Sequence, residues 1–152
     1  MAITLTTTKL QGLPTAVAGV YARIQSVTVK KYDADGPYTR DGDGNPTDTL
    51  DTDAAGYKAA HFRILYDVVL HASAGARNTA REYPEWGNRL SSRSIDHFTA
   101  TVTVDQMNAA NANCYTLAYS DLKAKLANTV GPDDENGDAT TIAPIASSIV
   151  NA

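Results

Sequence analysis

Three segments of this 152-residue chain predict an α+β fold, an antiparallel β-sheet or sandwich with one amphipathic helix in the C-terminal half and extended terminal arms. In residues 61–71 the apolar Phe62, Ile64, Tyr66, Val68 and Leu70 alternate with His61, Arg63, Leu65, Asp67 and Val69, the period-two signature of a strand. Residues 95–104 repeat the pattern, with Phe98, Ala100, Val102 and Val104 set against Thr99, Thr101 and Thr103. Cys114, Ala118 and Leu122 then recur every four residues, flanked by Tyr115, Leu117, Tyr119 and Leu126, which is the stripe of a helix that packs on a sheet. These patterns imply a sheet of three or four strands crossed by one helix.

From the N-terminus, residues 3–10 alternate and are threonine-rich, favouring a short extended arm or edge strand, and Pro14 breaks the segment after it, so residues 1–14 form an N-terminal arm. Val20, Ala22 and Ile24 share one parity while Val27 and Val29 take the other. A bulge near Gln25 and Ser26 would return all five to one face. Residues 33–56 are rich in Gly, Pro and Asp and nearly devoid of core residues, which predicts a mobile acidic excursion too long for a tight hairpin. Leu65 and Val69 make the second face of the 61–71 strand partly apolar, so that strand is central or covered on both faces.

Residues 73–85 read as a connection leading to Pro84 and the aromatic anchor Trp86. Asp105 occupies a good N-cap position, although Asn108, Asn111 and Asn113 weaken the first part of the helix and move its start toward Ala112. Gly131-Pro132 is expected to end it. Residues 131–152 form a C-terminal arm, where Pro144 bars a central strand; it pairs with the chain's own sheet edge or reaches a neighbour.

The length suits one domain spanning 1–152, and no apolar run approaches the roughly 18 residues of a membrane span. The N-terminus has neither the basic flank nor the apolar core of a signal peptide, which predicts a soluble protein made in a cytosol. A single cysteine, Cys114, excludes an internal disulfide and reads as a small buried side chain rather than a reactive thiol. The net charge of −4 is unevenly spread. Residues 33–53 hold seven aspartates against Arg40 alone, and Asp133, Asp134, Glu135 and Asp138 make a second acidic loop. The remainder is weakly basic, a division compatible with head-to-tail or ring contacts between copies as well as with plain solvation of long loops.

Reaction chemistry is not on display. Asp41, Asp43 and Asn45 begin like a calcium loop, but Pro46 stands where an EF-hand needs glycine and Thr52 where it needs a bidentate glutamate. They remain a weak metal candidate. His61 and His71, ten residues apart on one strand, lie about 33 Å apart at 3.3 Å per residue and cannot share a metal. Ser94, Asp96 and His97 are triad residue types, yet neighbours on one strand cannot converge. No nucleophile elbow or phosphate-binding glycine loop is present. No enzyme, catalytic residue or cofactor is therefore expected. Arg77, Arg81, Arg89 and Arg93 recur at regular spacing, but Glu82 and Glu85 dilute the patch, so nucleic acid is not an expected partner.

The strand HFRILYDVVLH (61–71) running into ASAGAR (72–77), the helix NCYTLAYSDLKAKLA (113–127), the opening Ala2-Ile3-Thr4-Leu5-Thr6 and the strand Tyr21-Ala22-Arg23-Ile24 together resemble small virion structural proteins of tailed bacteriophages. The resemblance covers roughly half of the chain, and the two acidic loops are longer than those of that class. It implies a non-enzymatic subunit made in the bacterial cytoplasm and incorporated into the virion, in symmetric copies in the tail, tail tip, baseplate or neck. The implied partners are further copies of itself and other virion proteins, with no membrane. Ile3, Leu5, Arg77, Arg81, Trp86, Ile142, Ile145 and Ile149 are the candidate subunit contacts. The alternatives are a capsid decoration or cement protein, and a receptor- or glycan-binding module built on Tyr32, Tyr38, Tyr57, Tyr83 and Trp86.

Overall fold

The structure, a computed structural model, describes residues 2–6, 20–71, 75, 97–128, 130–134, 136–141 and 148–151. Its centre is a pair of long antiparallel strands, β2 (Val20–Tyr32) and β5 (His61–His71). On one side β6 (Phe98–Thr103) pairs with β5. On the other, β1 (Ile3–Thr6) pairs with β2, and β9 (Ser148–Asn151) pairs with β1. Among the described residues the sheet therefore has five strands in the order β6-β5-β2-β1-β9, all neighbours antiparallel. The architecture is α+β as the sequence predicts, with more strands than the three or four expected because both terminal segments join the sheet.

The register of β2 against β5 shifts between Ile24 and Ser26, so Gln25 is the extra residue of a bulge. Ala22 and Ile24 are buried before it, and Val27 packs against the same core after it. Ile64, Tyr66, Val68 and Leu70 of β5, with Phe98, Ala100 and Val102 of β6, complete the sheet's contribution to that core. β5 is central, and Val69 on its other face is also buried.

Among the described residues two helices follow β6. The first, α1 (Val104–Asn108), is capped by Thr103, whose Oγ1 accepts from Gln106 N at 3.1 Å while Gln106 Oε1 accepts from Thr103 N at 2.9 Å. This reciprocal capping box places the cap two residues before Asp105, which lies in the first turn, and Val104 leaves the strand to begin the helix. A turn with Asn111 at φ 64° separates α1 from α2 (Cys114–Ala127). Asn113 caps α2, its Oδ1 accepting from Thr116 N at 2.9 Å. Ala118, Tyr119, Leu122 and Leu126 are buried against the sheet, with Cys114 and Leu117 packed at the margin.

The helix ends before Gly131-Pro132. Asn128 closes it, its backbone N–H donating to Ala124 O and Lys125 O and its side-chain amide to Ala124 O. Gly131 and Pro132 instead belong to β7 (Val130–Asp133), which pairs with β8 (Ala139–Thr141) as a small separate hairpin. Residues 33–56 also differ from expectation. They hold a second hairpin, β3 (Tyr38–Arg40) with β4 (Pro46–Leu50), rooted on the main ribbon by a bridge between Asp35 and Lys58. Its strands pair with each other and not with the sheet, and none of its side chains is in the core.

Candidate functional site

Alternation along β5 assigns one face of the sheet to the helix and leaves the other open at its β3-β4 end. On the helix face, polar groups clasp α2 to the strands. Tyr66 Oη donates to Asp121 Oδ2 at 2.6 Å, and Lys125 Nζ donates to the same oxygen at 2.7 Å and to Thr99 O. The Tyr66 ring stacks on Phe98 at 5.4 Å between centroids. Burial first, then the negative charge of Asp121, raises the Tyr66 pKa well above the ordinary phenol value. That direction keeps the hydroxyl a donor, the opposite of what a base or nucleophile at neutral pH requires.

Two residues before Asp121 on α2, Tyr119 Oη accepts the backbone N–H of Ile24 at 2.9 Å. Ile24 is the residue at which the bulge takes the chain out of register. A backbone donor beside a disrupted ladder thus finds its acceptor on the helix, which fixes α2 to one place on β2.

The open face is built by β2, β5 and β6 together. Cross-strand register sets Tyr32 opposite His61, Lys30 opposite Arg63 and Thr28 opposite Leu65. β6 adds Thr103 beside His61, Thr101 beside Arg63 and Thr99 beside Leu65. The Tyr32 and His61 rings lie parallel with centroids 5.1 Å apart, and the Arg63 guanidinium carbon stands 5.2 Å from the centre of the Tyr32 ring. Lys30, Arg63, Thr101 and Thr103 are exposed. Two cations therefore face each other across the strands, an arrangement that costs free energy in an isolated sheet. Neither forms an ion pair among the described residues.

The acidic hairpin leaves the sheet directly beyond the Tyr32–His61 pair. Its turn explains the motif Asp41-Gly42-Asp43-Gly44-Asn45 without a cation. Asp41 Oδ1 accepts from Asp43 N at 3.0 Å and Asn45 N at 2.8 Å, Gly44 at φ 84° reverses the chain, and Arg40 donates to Gly44 O at 2.6 Å. The second acidic loop uses the same device. Asp134 Oδ1 accepts from Asn136 N and Asp138 N at 2.8 and 3.0 Å, and Gly137 also has φ 84°. In both turns, backbone hydrogen bonds to the ionised carboxylate hold its pKa below the usual value. Among the described residues no group of three or more His, Cys, Asp or Glu is placed to hold a metal ion.

Comparisons with protein-family models, curated proteins and solved structures find no match.

Of the residues singled out in the sequence, Ile3 and Leu5 lie in β1 and Ile149 in β9, where Leu5 and Ile149 are cross-strand partners and Ile3 pairs with Asn151. The arms thus meet in the chain's own sheet. Arg77, Arg81, Trp86, Ile142 and Ile145 lie outside the described residues, as do Ser94 and Asp96. His61 and His71 occupy opposite ends of β5, the former stacked on Tyr32 and the latter buried near Tyr21. Sequence reading missed the facing of Lys30 and Arg63, because parity alone does not align two strands whose ladder contains a bulge. No helix among the described residues is long and apolar enough to cross a membrane.

Proposed function

We propose that this chain is a non-enzymatic structural subunit of a tailed bacteriophage particle, assembling in symmetric copies in the tail, tail tip, baseplate or neck. The phage assignment is supported by the residue resemblance of the 61–77 and 113–127 segments. The observation that carries the structural role is the β3-β4 hairpin, an ordered acidic projection that contributes nothing to the core of its own chain. Long loops that do not serve their own core usually serve a contact or a site. Here the hairpin stands beside an open basic and aromatic face, so the distinctive surfaces of the molecule are charged, complementary and suited to subunit contacts.

Quantitative mass spectrometry of gradient-purified tailed particles from lysates that contain this protein tests the reading. The expected result is the chain at a fixed multiple of a particle component, a multiple compatible with ring symmetry. Its presence in the lysate with none in the purified particles refutes it.

A further inference from the structure

We infer that the open sheet face around Lys30 and Arg63 receives the acidic β3-β4 hairpin of a second copy of this chain, forming a head-to-tail seam. The inference rests on the structural-subunit reading and names the contact it would use. Lys30 and Arg63 are exposed, face each other across β2 and β5, and form no ion pair among the described residues. Arg63 is held over the Tyr32 ring, which orders the guanidinium before any acceptor arrives. Thr101 and Thr103 on β6 add exposed hydroxyls along the same face.

The complementary surface is on the same chain. Residues 33–53 hold seven aspartates and one arginine, and Asp43 and Asp48 are exposed. Among the described residues the hairpin does not satisfy the face of its own subunit: its strands pair with each other, and the ion pair at its root joins Asp33 to Lys31 rather than to Lys30 or Arg63. Complementary surfaces that leave each other unsatisfied within one chain can be satisfied between chains. Two different patches meeting make a heterologous contact, which closes into a ring or continues as a stack.

Complementation between two charge-reversed variants of the full chain tests the seam. Lys30→Glu with Arg63→Glu makes the face acidic, and Asp43→Lys with Asp48→Lys makes the hairpin itself, residues 38–50, net basic. All four positions are exposed, and unchanged circular dichroism and Tm establish that both variants fold. Sedimentation velocity in low salt should show each variant alone associating at least tenfold more weakly than the wild type. An equimolar mixture should recover the wild-type association, since acidic hairpins then meet basic faces and basic hairpins meet acidic ones.

Several results overturn the seam: variants that still assemble like the wild type, variants that fail alone and fail when mixed, or a wild type that stays monomeric up to about millimolar concentration. Salt-sensitive binding of a single-stranded oligonucleotide by the wild type, lost in the face variant, overturns it in favour of a polyanion site. Assembly that survives both charge reversals leaves the structural-subunit reading standing. Complementation by a protein absent from purified particles keeps the seam and removes the phage assignment.

Discussion

Replacing Tyr119 by Phe tests one of the polar contacts that tie the helix to the sheet. The ring stays, so packing in the core is retained, and only the Oη that accepts the Ile24 N–H at 2.9 Å is removed. Tyr119 is 4% exposed and Ile24 5%, so water cannot readily replace the lost acceptor. A buried donor left without its acceptor costs about 1–3 kcal/mol, offset in part because the hydroxyl itself no longer has to be desolvated. With a net loss near 2 kcal/mol, a domain of this size should melt about 4–8 °C lower. Urea unfolding gives the magnitude, and hydrogen exchange of the Ile24 amide gives the location. Tyr115→Phe, at a position 45% exposed on the same helix, is the control and should change stability by less than about 0.5 kcal/mol. A Tyr119→Phe protein as stable as that control, with Ile24 equally protected, would show that the bulge does not depend on the helix.

Tyr66→Phe removes a donor to the Asp121 carboxylate and should cost about 1.5–3 kcal/mol in urea unfolding, since the bond is made to a charged group. The Tyr66 pKa is raised in the fold, so its contribution is fully present below the unfolded value near 10.0 and declines as pH rises above it. Wild-type stability should accordingly fall more steeply between pH 10 and 11 than that of Tyr66→Phe, and parallel curves would contradict this. Asp41 and Asp134 have lowered pKa values, so their contribution is present above the unfolded value of 3.8 and lost as pH falls through the lower folded value. In an NMR acid titration, the Asn45 and Asp138 amide signals should each move with a midpoint below 3.8, and signals that stay unmoved would refute the carboxylate anchors. At Gly36 an added Cβ would stand 2.9 Å from the Tyr57 Cα, so Gly36→Ala should open the Asp35–Lys58 bridge and speed amide exchange of both residues. Tm should hardly change, because the hairpin adds nothing to the core; a large fall in Tm would refute that separation.

The elements legible in the sequence are those whose side chains face one continuous core. β5 reads at its full length from His61 to His71 because five apolar residues alternate without a break, and the change of parity between Ile24 and Val27 locates the bulge. The start of α2 is visible in the three asparagines, which favour caps and turns over helix interiors. The β3-β4 hairpin is hidden because Tyr38–Arg40 and Pro46–Leu50 have no apolar face to alternate. Its signal lies in an aspartate followed three residues later by glycine, a pattern that Asp134 and Gly137 repeat. The joining of β1 to β9 is hidden for another reason: four-residue strands at opposite ends of the chain carry too little pattern to name each other. Of the candidate face, Tyr32 and Arg63 are visible as exposed types, but their adjacency requires the register.

That register links the core to the open face. Without the extra residue at Gln25, strand parity would turn Ser26, Thr28, Lys30 and Tyr32 toward α2 and turn Val27 and Val29 outward. The bulge prevents both errors at once. It keeps Val27 on the hydrophobic side and sets Lys30 beside Arg63 and Tyr32 beside His61 on the other. The backbone donor at the bulge is in turn held by Tyr119, which belongs to the helix on the far side of the sheet. A contact in the core thus braces the bulge that sets the composition of the exposed basic face. Substitutions of Lys30 or Arg63 should alter the face without altering the fold, whereas loosening the Tyr119 contact should disturb both, because it acts on the step that decides which side of β2 each residue occupies.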